Sequence, residues 1–276
     1  MQTILITGST RGIGQGLARE FLRLGHQVIV TGRAEAAVRT AAAELGREHG
    51  GEGRVLGVVC DVRQLPSVQA AWDAGVARFG RIDVWINNAA VATDRVLLAD
   101  LPADQIQATV DTNLLGTLYG CRAAIAGMRG QPGGGKVYTF EGFGSDGLSR
   151  PGLSVYGATK RALRYLTASL AKECAGTPVI VGSLSPGIVA TDLLLYSSRG
   201  QDPAEWERSK RVLNILGDTV ETVTPFLARE ALANTKQGGR IDWMTPAKAA
   251  GRFALSPFRK RDILAELEAR PHLTVR

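Results

Sequence analysis

Runs of consecutive β-branched and aliphatic residues alternate along this chain with segments whose apolar positions recur at helical spacing. Residues 2–7, 26–31, 54–60, 82–87, 136–140 and 178–184 form the apolar runs, each the length of a buried strand. Between them, residues 15–24, 34–49, 66–79, 102–128 and 152–174 carry helical patterning. Gly50 and Gly51 close the second of these helices, and the fourth reads as one long helix with an apolar stripe. This alternation predicts a parallel sheet with helices on both faces. Right-handed crossovers make it a doubly wound, Rossmann-type α/β sheet, which binds ligands beyond the carboxyl ends of its strands.

Beyond Thr191 the pattern changes. Residues 193–196 are apolar, 197–209 polar, 212–232 helical with mixed patterning, 237–244 fit one edge strand, and 246–276 are basic and helical. One domain over residues 1–276 is expected. Residues 1–192 form its cofactor and catalytic core, and 193–276 a cover of helices, an edge strand and a helical tail over the substrate.

Composition narrows the function. With 45% hydrophobic and 21% charged residues among 276, the chain can bury a large core. The net charge of +7 raises nucleic acid as a partner, but aromatics are only 6% and the arginines are spread, so none is expected. A phosphorylated dinucleotide accounts for local basic residues, and solvated surface for the rest. Cys60, Cys121 and Cys174 have no paired spacing and apolar neighbours, which predicts buried reduced thiols and a cytoplasmic protein. No apolar run reaches membrane-spanning length, and a core strand starting at Gln2 leaves no room for a signal or transit peptide. His26, His49 and His272 are scattered and form no catalytic or metal pair; no metal site is expected.

Gly8, Gly12 and Gly14 follow the first strand and open the first helix. Glycines there let the backbone turn tightly and approach a pyrophosphate, which the helix N-terminus stabilises. NAD sites usually place an acid at the end of the second strand; here that position holds Arg33, and Arg11 lies inside the glycine turn. Two guanidiniums suit a 2′-phosphate, predicting NADP(H), unless either points only to water.

Tyr156 and Lys160 are four residues apart on a predicted helix and so share one face. At an effective dielectric of about 20, a cation some 5–6 Å away would favour a phenolate by roughly 3 kcal/mol, about 2 pKa units below the reference value of about 10. The pair is thus expected to act as an acidified proton donor, the alternative being two residues on a solvated helix face.

Taken in order, these motifs resemble the short-chain dehydrogenase/reductase family over residues 1 to about 192. Thr7, Gly8, Ser9, Thr10, Arg11, Gly12, Ile13 and Gly14 look like its cofactor turn, and Asp61 and Val62 like its adenine contact. Asn87, Asn88, Ala89 and Ala90 match its fourth-strand motif, with Ala90 where glycine is commoner. Asn113 falls where the family keeps a helix-kinking asparagine that holds a proton-relay water. Pro186, Gly187, Ile188, Val189, Ala190 and Thr191 resemble its nicotinamide-side loop. The resemblance implies that Tyr156 protonates a carbonyl during reduction. It makes Lys160 the residue that lowers the tyrosine pKa and binds the nicotinamide ribose, with cofactor contacts also from Asn88, Ala89, Pro186, Gly187, Val189 and Thr191. It also implies a homodimer or homotetramer, paired through residues 102–128 and 152–174.

One departure stands out. The family usually places a serine about thirteen residues before the tyrosine; here Phe143 takes that position and the nearest hydroxyl is Ser145. Ser145 is either a displaced carbonyl donor or a loop residue beside a tyrosine acting alone. The segments 141–145, 155–160, 185–195 and 240–246 resemble one branch, the chlorophyll b reductases, which use NADPH to reduce a formyl group. Glu141 has three readings: a salt bridge to an arginine near the loop, a substrate-orienting group, or a solvated acid. Leu193 to Tyr196 with residues 212–232, including Phe226 and nearby Trp206, are expected to cover a pocket for a small hydrophobic carbonyl substrate. A broader ketone, 3-oxoacyl or hydroxysteroid-type reductase and a non-catalytic NADP(H)- or tetrapyrrole-binding protein are the competing functions.

Overall fold

The computed structural model describes residues 1–49, 52–259 and 261–265. Seven parallel strands form its sheet: β1 (Thr3–Ile6), β2 (Gln27–Gly32), β3 (Val55–Val59), β4 (Val84–Asn87), β5 (Gly135–Phe140), β6 (Val179–Ser185) and β9 (Arg240–Asp242). Their order is β3-β2-β1-β4-β5-β6-β9. The direction of winding reverses between β1 and β4, which opens a crevice at the carboxyl edge.

Alternation along the strands separates two cores. Ile4 and Ile6 of β1 join Val28, Val30, Val84 and Ile86 on one face, where α1 (Gly12–Arg23), α2 (Glu35–Glu48) and α9 (Val220–Ala233) cover them. Leu5, Ile29, Trp85 and Val137 face the other way, beneath α3 (Leu65–Phe79) and α5 (Gly116–Arg129), where Trp72 stacks on Trp85 at 6.2 Å. The cysteines are buried free thiols; burial pushes Cys60 up to about 11 and Cys121 to about 12, so neither is a ready nucleophile.

The structure refines several expected elements. The long helix expected over 102–128 is found as continuous helix from Ala103 to Arg129, with a π-helical turn over Asp111–Leu115 between α4 (Ala103–Val110) and α5. The polar stretch 197–209 contains the start of α8 (Pro203–Leu216), because Asp202 caps Ala204 and Glu205 and Pro203 supplies the first turn. The helical region 212–232 is two helices, split by the two-residue strand β8 (Gly217–Asp218), which pairs with β7 (Ile188–Val189). The second of these helices, α9, packs against α1, where a Cβ on Gly16 would come within 2.3 Å of Val220, and Phe226 packs on the core and on Trp243. α7 (Asp192–Tyr196) follows β7 and leads into α8.

In the basic tail the described residues form α10 (Pro246–Leu255), carry turns and bends over 256–259 and 261–264, and are helical again at Ala265. Lys260, His272 and the rest of 266–276 lie outside the described residues, as do Gly50 and Gly51. Among the described residues no helix is long and apolar enough to cross a membrane.

Candidate active site

The site forms where β1, β4, β5 and β6 end. Helix α6 (Ser154–Glu173) carries Tyr156 and Lys160 on one face, with Lys160 Nζ 5.7 Å from the tyrosine ring centroid. Lys160 is only 3% exposed, and its ammonium donates to the carbonyl of Phe140, the last residue of β5, at 3.1 Å. Burial pushes it down to about 8, against the opposing field of Glu141. The Tyr156 hydroxyl lies against Gly142. A Cβ on that glycine would stand 2.7 Å from the hydroxyl and 3.4 Å from Lys160 Cε.

The geometry shifts Tyr156 in the direction opposite to the one expected from the Lys160 spacing. Burial pushes the phenol up to about 12. Desolvation of the phenolate outweighs the field of the lysine, whose ammonium is directed at the Phe140 carbonyl. A phenol that stays protonated through neutral pH nevertheless holds the proton that a forming alkoxide takes.

Asn113 is fully buried within the π-helical turn. Its Oδ1 accepts from Val91 N at 2.8 Å, and its Nδ2 donates to Val91 O at 2.9 Å and Thr159 Oγ1 at 3.4 Å. Thr159 in turn donates to the Tyr156 carbonyl at 2.7 Å. Asn113 therefore ties the loop after β4 to the helix turn between Tyr156 and Lys160. The widened turn presents its side chain inward.

Ser145 is brought near but turned inward. It is 2% exposed; its hydroxyl accepts from Gly142 N at 3.1 Å and donates to the Lys160 carbonyl at 3.3 Å. Its own carbonyl accepts from Arg161 and Arg164. The hydroxyl thus fastens the loop to α6, and the geometry gives no support to a displaced carbonyl donor. Of the three readings of Glu141, the salt bridge is the one found: Arg240 Nε donates to it at 2.9 Å.

The glycine turn has the shape of an anion cradle. Gly8 has φ 62° and packs so closely on Ala89 that a Cβ would stand 2.8 Å from its Cα, while Gly12, with φ 57°, faces Thr191 across the cleft. Gly14 leaves room for Asn88, whose Nδ2 donates to the carbonyls of Thr7 and Gly8. Ser9 is fully buried and bonds Ile6 and Thr31, so it shapes the turn, and Ile13 packs on the core below. Thr10 fills the space over Gly32. Arg11, at the start of α1, makes no side-chain cap bond, and the first turn carries no acid. The first N–H groups of the helix are therefore free to meet a phosphate. These residues fit a dinucleotide.

At the adenine end Arg33 is exposed, and Asp61 is bound by Arg63 through bonds of 2.6–3.1 Å. Those bonds hold the Asp61 carboxyl below its usual range, with a smaller contribution from the field of Arg33. Val62 is buried against Gly116. On the nicotinamide side, Pro186 and Gly187 lead into β7, which carries Val189 and is followed by Thr191; Gly187 has φ 70° and abuts Met244. Asp218, 1% exposed, anchors the paired strand β8 by accepting from Trp243, Arg252 and Arg261.

Sequence reasoning missed Gly142, Arg63 and Asp218. A glycine in a glycine-rich loop and an arginine two residues after an acid carry little signal alone. The Asp218 cluster joins residues 34 and 43 positions apart, which no local pattern reveals.

A phosphate cradle beyond a parallel sheet, leading to a tyrosine–lysine pair at the next strand ends, defines a nicotinamide-dependent oxidoreductase acting on a carbonyl or alcohol. The short chain dehydrogenase family model matches residues 2–202, and the chain belongs to that family. It is 40% identical over 258 residues to chlorophyll(ide) b reductase NOL of Oryza sativa subsp. japonica, covering 91% of this chain and 73% of that one. A probable chlorophyll(ide) b reductase of Arabidopsis thaliana is 34% identical over 90% of this chain, which spans only 51% of that relative's length.

Among solved structures, 3-ketoacyl-(acyl-carrier-protein) reductase from Brucella melitensis complexed with NADH superposes with a TM-score of 0.76 at 24% identity, over 90% of this chain and 98% of that one, a likeness of fold. The closed form of serine dehydrogenase complexed with NADP+ gives 0.74 at 25%, over 89% and 96%. Both plant relatives are named as chloroplastic, so the comparisons lend the cytoplasmic expectation no support.

Proposed function

We propose that this protein is an NADPH-dependent carbonyl reductase whose substrate is the formyl group of a chlorophyll(ide) b or a similarly bulky aldehyde, reduced to the alcohol. The observation that carries the reading is the Tyr156 hydroxyl set against Gly142 with the Lys160 ammonium behind it. The similarity to chlorophyll(ide) b reductases over nine-tenths of the chain supports the substrate class.

Gly8, Gly12, Gly14 and the start of α1 would hold the pyrophosphate, Arg33 the 2′-phosphate, and Lys160 the nicotinamide ribose. The bound nicotinamide supplies the hydride. Tyr156 gives its proton to the carbonyl oxygen as negative charge develops there. Its phenolate is then the buried charge that Lys160 stabilises, so the cation matters most after proton transfer. Asn113 and Ser145 hold the helix and loop that aim this pair. Arg11 spans the cleft to Asp192 at 3.8 Å, linking the cradle to the start of α7, the first element of the cover.

Chlorophyllide b incubated with NADPH should gain the mass of two hydrogens with matching NADPH oxidation, and Tyr156→Phe should abolish turnover while NADPH still binds. Turnover of ketones or 3-oxoacyl thioesters alone would move the assignment to the broader reductase. Tight NADPH binding with no turnover of any carbonyl would make the protein a sensor.

Homo-oligomerisation through α4–α5 and α6 belongs to the same reading. It is supported by Leu118 and Tyr165, which lie 38% and 79% exposed on α5 and α6. A monomer at micromolar concentration in sedimentation analysis would refute it.

A further inference from the structure

Lys160 has no carboxylate within salt-bridge distance among the described residues; its one direct bond is to the Phe140 carbonyl. The next residue in the chain is Glu141, whose side chain is 4% exposed. Both of its oxygens are held away from the lysine: Oε1 accepts from Ser183 of β6 at 3.0 Å and Oε2 from Arg240 of β9 at 2.9 Å. Arg240 also reaches Ser185 and Asp242, so it is fixed from three sides. The end of β5 thus delivers a carbonyl to the ammonium and, one residue later, a buried carboxylate that the sheet's last strand holds in place.

Proposed as new, and resting on the reading of Tyr156 and Lys160 as the proton-donating pair, is an electrostatic role for this carboxylate. We propose that Glu141 is a positioning residue, the distant counter-charge of Lys160, with Arg240 setting how much of that charge the lysine feels. Burial alone works against an ammonium here, and among the described residues Glu141 is the charged neighbour that acts on Lys160 in the opposite sense. Every other group near the lysine fits this division. Tyr156 on its own helix stays a neutral phenol through neutral pH, Arg161 and Arg164 turn to the Ser145 carbonyl, and Asp242 is engaged by Arg240. A stabilising role is a weaker account of the same contacts, since a buried ion pair seldom adds much over an apolar replacement.

The test reads Lys160 directly. Protein labelled with 15N at lysine Nζ is titrated by NMR, with the Lys160 signal assigned through Lys160→Arg, and kcat/KM is measured against pH. In Glu141→Gln the Lys160 titration and the alkaline limb of the rate profile should both move about one unit to lower pH. Arg240→Gln should move both the other way, because the carboxylate loses its guanidinium. Glu141→Gln combined with Arg240→Gln should recover thermal stability yet keep the acid-shifted profile of Glu141→Gln. An unmoved Lys160 titration in Glu141→Gln, or a double variant with the wild-type profile, would overturn the proposal. If the wild type turned over no carbonyl, the reductase reading would fall, while the NMR titration would still decide the role of Glu141.

Discussion

Ser145 donates to the main-chain carbonyl of Lys160 at 3.3 Å, so the hydroxyl nearest the family's serine position is spent on the helix that carries the catalytic pair. Ser145→Ala leaves the half-buried Gly142 N–H without its acceptor, at a cost of about 1 kcal/mol in stability. The expected result is a lower melting temperature with kcat reduced less than tenfold. A fall of about a hundredfold or more, the size seen on removing a donor to a developing oxyanion, would return the hydroxyl to the substrate carbonyl.

On the proposed reading, the bare Cα of Gly142 leaves the room through which a carbonyl reaches Tyr156. Its substitution by alanine places a methyl 2.7 Å from the phenol oxygen, in the space the substrate needs. Relief requires the loop or the tyrosine to move, costing about 1–3 kcal/mol. Gly142→Ala should lower kcat by at least tenfold while NADPH binding changes little. Wild-type kcat in this variant would mean that the substrate approaches from another side.

Arg33 ends β2 exposed, in the place where an acid would select NADH. Charge-assisted bonds to a 2′-phosphate contribute about 1.5–3 kcal/mol, so Arg33→Ala should weaken NADPH binding by roughly ten- to a hundredfold. NADH binding should stay within about twofold. Calorimetry with both cofactors decides it: equal losses for the two would remove the 2′-phosphate from the argument.

The sheet was legible because its strands are buried on both faces and read as unbroken apolar runs. Ile4, Leu5 and Ile6 leave no other reading. The glycine turn and the Tyr156–Lys160 spacing are local, so they too could be read directly. What escaped depends on distance in sequence or on solvation. The sign of the Tyr156 shift turned on desolvation, which spacing does not encode. The π-helical turn at Asn113 follows from its bonds to Val91, 22 residues back, rather than from any break in the apolar stripe. The strand Gly217–Asp218 exists because it meets Ile188–Val189 and because Asp218 collects two arginines from the C-terminal region. The start of α8 was legible in Asp202, Pro203 and Glu205, and the polarity of that stretch hid it.

The partner of Glu141 lies 99 residues further along the chain, on the strand that joins the sheet last. During synthesis the cradle, the tyrosine and the lysine all leave the ribosome before Arg240 does. A nascent chain, or a fragment ending before β9, would carry every recognisable motif around a carboxylate still lacking its guanidinium. Competence then arrives with the final strand rather than with the motifs.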